Sequence, residues 1–271
     1  MFVPGEVGPL HIETSGAPEA PPVLLVHGMA GNCRWWDGVV PLLAEDFFVV
    51  AMDFRGHGDS AWARPPRYEI GDYAQDIESV RRHFGWERFH LAAHSMGARA
   101  AIQYAKERPE SLASLTLVDF LTDFSARASR KFRRPVLLRQ PHYKDPERML
   151  SRFRLEPDET LLSPEALNIL ARSCVKKTET GDWTWKFDWQ GFTMVYLPIW
   201  PLLPHISTPS LIVRGEHSEV MARPNFDRLL REMPGAHGAD IPGAHHHVPL
   251  DTPNELAALI ANHLQRHPVL L

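Results

Sequence analysis

Four short runs, "PPVLLVHG", "FFVVAMDFRG", "FHLAAHSMG" and "LASLTLVDF", are almost unbroken apolar stretches. A strand with one face in water alternates polar and apolar residues, so a run without alternation is buried on both faces. Helical material lies between the runs, as in the Ala-rich "ARAAIQYAKE", which stops at Pro109. The chain is therefore predicted to be α/β, a mostly parallel sheet flanked by helices. "PSLIVRGE" and "HGADIPGAHHH" supply further strands, "LHIETSG" alternates like an edge strand, and "WWDGVVPLLAED" has room for a helix.

The length, 271 residues, suffices for one large domain with an insertion. Residues 122–203 break the strand-helix rhythm with Arg- and Trp-rich segments, which predicts a helical lid over a core of 1–121 and 204–271. In "LSPEALNILARSCVKK", Ser163 suits a cap and Pro164 a first helical turn, while Leu167, Leu170 and Ala171 share a face.

The composition excludes several roles. A net charge of −4 gives no global field toward nucleic acid or an anionic membrane. "MFVPGEVGPLHIETSG" lacks a basic segment followed by an apolar run, and no stretch approaches 18 apolar residues, so a soluble, cytoplasmic protein is expected. Cys33 and Cys174 have neither disulfide-framework nor zinc-ligand spacing. Oligomeric state cannot be read.

The chemistry concentrates in three stretches. In "LAAHSMGARAA", Ser95 falls at a strand-to-helix junction between small residues, Ala93 and Gly97. A nucleophile there sits on a strained turn that lifts its hydroxyl clear of the sheet, and the strain is tolerable only with small neighbours. "LLVHGMAGN" ends a strand in a Gly-bearing loop whose Met29 N–H, with that of Met96, is placed to hold an oxyanion. His27 is expected to brace that loop. "IPGAHHHVP" offers His245, His246 and His247 as the base. Neighbouring loop side chains point apart, so these three histidines are not expected to bind metal, and no cofactor is needed.

Taken together, "HGMAG", "DFRGHGDS", "AHSMG", "RGEHS" and "IPGAHHHVP" resemble the α/β-hydrolase family in order and spacing, over nearly the whole chain. The resemblance implies an α/β-hydrolase fold with a lid insertion, and it implies His246 as base. His245 and Ala93 depart from the family's usual glycines. The family's acid commonly follows the strand matched by "LIVRGEHSEVM", but Ser218 stands there. In part of the family the acid moves to the end of the sixth strand, here Asp119; Glu219 and Glu216 are the alternatives. Family members with an Asp nucleophile, the epoxide hydrolases and dehalogenases, differ from this chain at position 95.

The expected reaction is cleavage of a small carboxylic ester through an acyl-enzyme, with Ser95, His246 and Asp119 as the triad. Amide or carbon–carbon hydrolysis of a carboxylate-bearing substrate is the alternative, and a receptor with slow turnover is a second. Arg34 either anchors a substrate carboxylate or pairs with Asp37. Trp185 and Trp189, within "GDWTWKFDWQGF", either line an apolar pocket or form the insertion's own core. The basic run "ARASRKFRRPVLLR" either attracts an anion or is a solvated face.

Overall fold

The apolar runs form the middle of an eight-stranded sheet in the computed structural model, which describes residues 1–123, 139–194 and 197–269. Its strands are β1 (Phe2–Gly5), β2 (Gly8–Ser15), β3 (Pro22–Val26), β4 (Phe48–Met52), β5 (Phe89–His94), β6 (Leu112–Val118), β9 (Ser210–Gly215) and β10 (Ala236–Ile241). They lie in the order β1-β2-β4-β3-β5-β6-β9-β10. β2 runs antiparallel to β1 and β4, and every other pairing is parallel.

Alternate residues of each run feed two separate cores. Leu24, Val26, Leu91, Ala93, Leu115 and Leu117 join Tyr73, Ile77, Ala101 and Ile102, from α2 (Ile70–Phe84) and α3 (Met96–Glu107). Val23, Leu25, Val49, Ala51 and Ala92 join Leu43, Leu256 and Ile260, from α1 (Val40–Leu43) and the last helix, Pro253–Gln265. This two-faced burial is why the runs show no polar alternation. Each fully buried Leu, Ile or Val contributes about 1.5–3 kcal/mol.

Three local expectations need correction. "LHIETSG" is β2, but it is not the edge, because β1 pairs along its outer side from Phe2–His11 to Gly5–Gly8. "WWDGVVPLLAED" gives a 3₁₀ turn, Cys33–Trp36, and the single-turn α1 instead of one helix. In "LSPEALNILARSCVKK" the helix Pro164–Ser173 is capped as expected, with Ser163 Oγ accepting the Ala166 N–H at 3.2 Å. It ends before Cys174, however, and Val175–Lys177 (β7) pairs antiparallel with Trp183–Trp185 (β8).

The described part of the insertion is tied down along the segment that follows β4. The Asp188 N–H donates to Gly56 O at 2.8 Å, and its carboxylate accepts from Tyr68 Oη (2.6 Å) and from Arg64. The Phe187 ring packs on His57, 4.6 Å between centroids. The basic run lies outside the described residues except for Arg139. No helix among the described residues is long and apolar enough to cross a membrane.

Candidate active site

β5, β6 and β9 are parallel neighbours, so the loops leaving them open at one edge of the sheet, where such folds place functional groups. Ser95 follows β5 directly, Asp119 follows β6, and the His245–His247 loop follows β10.

Ser95 adopts φ 55°, ψ −119°, a conformation that L residues rarely take, and α3 begins at the next residue. The turn survives because its surroundings are stripped of side chains. A Cβ on Gly97 would lie 2.5 Å from His27 O, and one on Gly28 would lie 2.9 Å from Ser95 Cβ. As the first residue of α3, Met96 has no earlier helical carbonyl for its N–H. The loop carrying Gly28 and Met29 is braced by His27, which donates from Nδ1 to Gly28 O (2.7 Å) and accepts the Phe54 N–H at Nε2 (3.1 Å).

Asp119 is fully buried and has φ 34°. Its Oδ1 lies 2.8 Å from His246 Nδ1 and accepts the Ser218 hydroxyl at 2.6 Å, while Oδ2 accepts the Gly215 N–H at 2.9 Å. His246 Nε2 lies 3.1 Å from Ser95 Oγ. The three residues thus form one hydrogen-bonded chain. Gly215 is required where it stands, since a Cβ there would meet His245 O at 2.1 Å. The backbone of His246 is held by His94, whose Nε2 lies 2.9 Å from His246 O.

Burial dominates the electrostatics. It pushes the Asp119 carboxyl up to about 7, against the Ser218 hydroxyl, the Gly215 N–H and the Arg214 charge, which favour the anion. Burial also holds His246 well below its usual value, with His247 adding to the effect. The imidazole is therefore neutral at pH 7, the state a proton acceptor needs.

The other candidate positions fall elsewhere. Glu216 accepts the Gly243 N–H at 2.9 Å, and Glu219 is exposed; the carboxylate facing His246 is that of Asp119. Of the two roles open to Arg34, the structure shows ion pairing, to Glu13 at 2.7 Å and to Asp37 at 3.6 Å. Trp185 and Trp189 are not one cluster: Trp185 packs toward Phe153 (6.1 Å) and Trp189 toward Phe192 (6.5 Å). His94 and Gly215 were not foreseen as site residues, and Ser218 was marked only as standing where an acid is common. No local spacing points to the contacts of these three, because their partners are 96 to 152 residues away in the chain.

Comparison with known proteins identifies the family. The sequence pattern of the alpha/beta hydrolase fold family matches residues 21–252, and the chain belongs to that family. It is 34% identical over 125 residues to a fluoroacetate dehalogenase of a Burkholderia species, covering 44% of this chain and 40% of that one. It is 36% identical over 105 residues to a human serine hydrolase-like protein, covering 38% of this chain and 52% of the other. The matches thus span about half or less of these relatives. Among solved structures, a thioesterase domain from the curacin biosynthetic pathway superposes with a TM-score of 0.80 at 26% identity, covering 96% of this chain and 98% of that one.

Proposed function

We propose that the protein is a serine hydrolase that cleaves a small carboxylic ester through an acyl-enzyme. The observation that carries the reading is the chain of hydrogen bonds from Asp119 through His246 to Ser95, 2.8 and 3.1 Å long. In this reading His246 takes the Ser95 proton as Oγ attacks the carbonyl carbon, and Asp119 holds the ring in the required tautomer. The N–H groups of Met29 and Met96 stabilise the oxyanion. His246 then protonates the leaving alcohol, and water releases the acid by the same steps in reverse order.

Residues 122–203 act as a lid in this proposal, and the substrate is a small molecule admitted beneath it. The serine hydrolase-like and thioesterase relatives support a Ser-based acyl transfer, and Ser95 separates the chain from hydrolases that attack through Asp. With Arg34 paired to Glu13 and Asp37, a carboxylate on the substrate has lost its clearest anchor, which favours the simple ester over the carboxylate-bearing alternatives.

The test is labelling of the folded protein with a fluorophosphonate, read by mass spectrometry, alongside Ser95→Ala. One adduct on Ser95, absent from the variant, is expected. An unlabelled wild-type protein that also leaves activated aryl esters intact sinks the proposal.

A further inference from the structure

We infer that His94, His246 and His247 form a binding site for a divalent transition-metal ion such as Zn²⁺, and that occupancy of this site blocks the Ser95 chemistry. One ring nitrogen from each of the three lies within 4.8 Å of the other two. The expectation that neighbouring histidines diverge holds for His245, whose ring packs toward His217 at 5.7 Å. It fails for the next pair. The rings of His246 and His247 are 5.0 Å apart, and His94, from the end of β5, completes the group at 4.9 and 6.2 Å.

The hydrogen bonds of these rings decide where their protons are. A carbonyl or carboxylate oxygen only accepts, so the nitrogen facing it carries the hydrogen. His94 Nε2 faces His246 O at 2.9 Å, and His247 Nε2 faces Pro157 O at 2.8 Å. His246 Nδ1 faces Asp119. A neutral ring has one hydrogen to give, which leaves a bare lone pair on His94 Nδ1, His247 Nδ1 and His246 Nε2. Two of these, His94 Nδ1 and His247 Nδ1, are buried without any hydrogen-bond partner, on residues only 1% and 5% exposed.

This is the pattern of metal-binding imidazoles. Such ligands hand their other N–H to a carbonyl or carboxylate, which fixes the tautomer and raises ligand basicity. Three imidazoles suit Zn²⁺, Cu²⁺ or Ni²⁺ over the hard, oxygen-seeking Mg²⁺ and Ca²⁺. With bonds of roughly 2.0–2.1 Å to nitrogen, a tetrahedral ion asks for nitrogens about 3.4 Å apart, so the rings must close on it by small side-chain rotations. Binding exchanges the Ser95–His246 contact for a metal bond.

Metal binding stands on the three rings alone, whereas the inhibition rests on the serine-hydrolase reading. The experiment separates them: calorimetric titration of the intact protein with ZnCl₂, and aryl-ester turnover over the same Zn²⁺ range with and without EDTA. One ion per chain is expected, with turnover falling as the site fills and returning on chelation. His247→Gln should weaken binding at least about tenfold and retain correspondingly more of its own metal-free turnover at each Zn²⁺ concentration. A second variant guards against another histidine group, where the His263 ring lies 4.9 Å from that of the exposed His237 and 5.0 Å from that of His267. Binding that persists in His247→Gln and vanishes in His237→Gln overturns the inference, as does the lack of any stoichiometric uptake by wild type. Uptake sensitive to His247, in a protein that hydrolyses no ester, upholds the site and overturns the proposed function instead.

Discussion

Ser218 Oγ donates to Asp119 Oδ1 at 2.6 Å, and that same oxygen lies 2.8 Å from His246 Nδ1. The loop after β9 thus supplies a hydroxyl to a carboxylate that arrives from the end of β6. In the proposed triad the acid lies one strand along the sheet from this loop, and the Ser218 hydroxyl favours its charged form.

Neutralising the carboxylate should be severe. Asp119→Asn keeps the shape but removes the charge that stabilises an imidazolium, and kcat for an activated aryl ester is expected to fall by about 10⁴-fold. Glu219→Gln and Glu216→Gln should stay within a few-fold of wild type. A side-chain amide at 219 or 216 that costs as much as one at 119 would refute the assignment of the acid.

Ser218→Ala should act through pH. It removes a donor that favours the Asp119 anion, and Asp119 already titrates near 7 because of burial. The carboxyl should rise further, leaving less anion at pH 7, so kcat is expected to drop there and to recover as the pH is raised toward 9. The variant also strands the N–H groups of Val220 and Met221, which donate to Ser218 Oγ at 3.1 and 3.2 Å. About 1–3 kcal/mol of stability should be lost, measurable by urea unfolding. A pH profile superimposable on that of wild type would argue against the hydroxyl's role.

Gly97→Ala tests the elbow. The added Cβ would sit 2.5 Å from His27 O, a backbone atom that cannot yield cheaply. Overpacking of this kind costs about 1–3 kcal/mol, and displacement of α3 should misplace the Ser95 hydroxyl. Thermal unfolding and kcat are expected to fall together.

Acid should destabilise the protein well before its ordinary carboxylates titrate. Burial lowers His90 from 6.5 to about 3, so the unfolded chain takes up a proton near pH 6.5 that the folded chain refuses until about 3. That contribution is present above pH 6.5 and drains as the pH falls through the interval, by up to about 1.4 kcal/mol per pH unit. Asp119 has the opposite sign: its raised pKa favours folding below about 4, and the benefit is lost as the pH rises through 7. His90→Gln leaves the Asp119 contribution untouched, so its ΔG against pH should be shallower than wild type between pH 6.5 and 4. Equal slopes would refute the reading.

The sequence was informative where a residue's environment is set by its own neighbours. "LASLTLVDF" shows a doubly buried strand and an Asp at its end because its unbroken apolar pattern lies within one short run. α2 carries equally local signals: Glu69 and Asp72 form its capping box, and Gly85, at φ 67°, closes it. β1 is four residues long, with Pro4 inside it, too short to announce itself beside β2. The convergence of His94, Ser218 and Gly215 on Asp119 and His246 is set by strand order, which no local pattern records.

Strand order also sets when the site comes into being. Ser95 and His246 meet across 151 residues of chain, and Asp119 and His246 across 127. A ribosome delivering this chain exposes Ser95 first, Asp119 next and His246 well after both. Until β10 docks and its loop folds back over Gly215, Ser95 has no His246 ring beside it. The hydrogen-bonded chain of Asp119, His246 and Ser95 thus forms in a single event, together with the docking of β10.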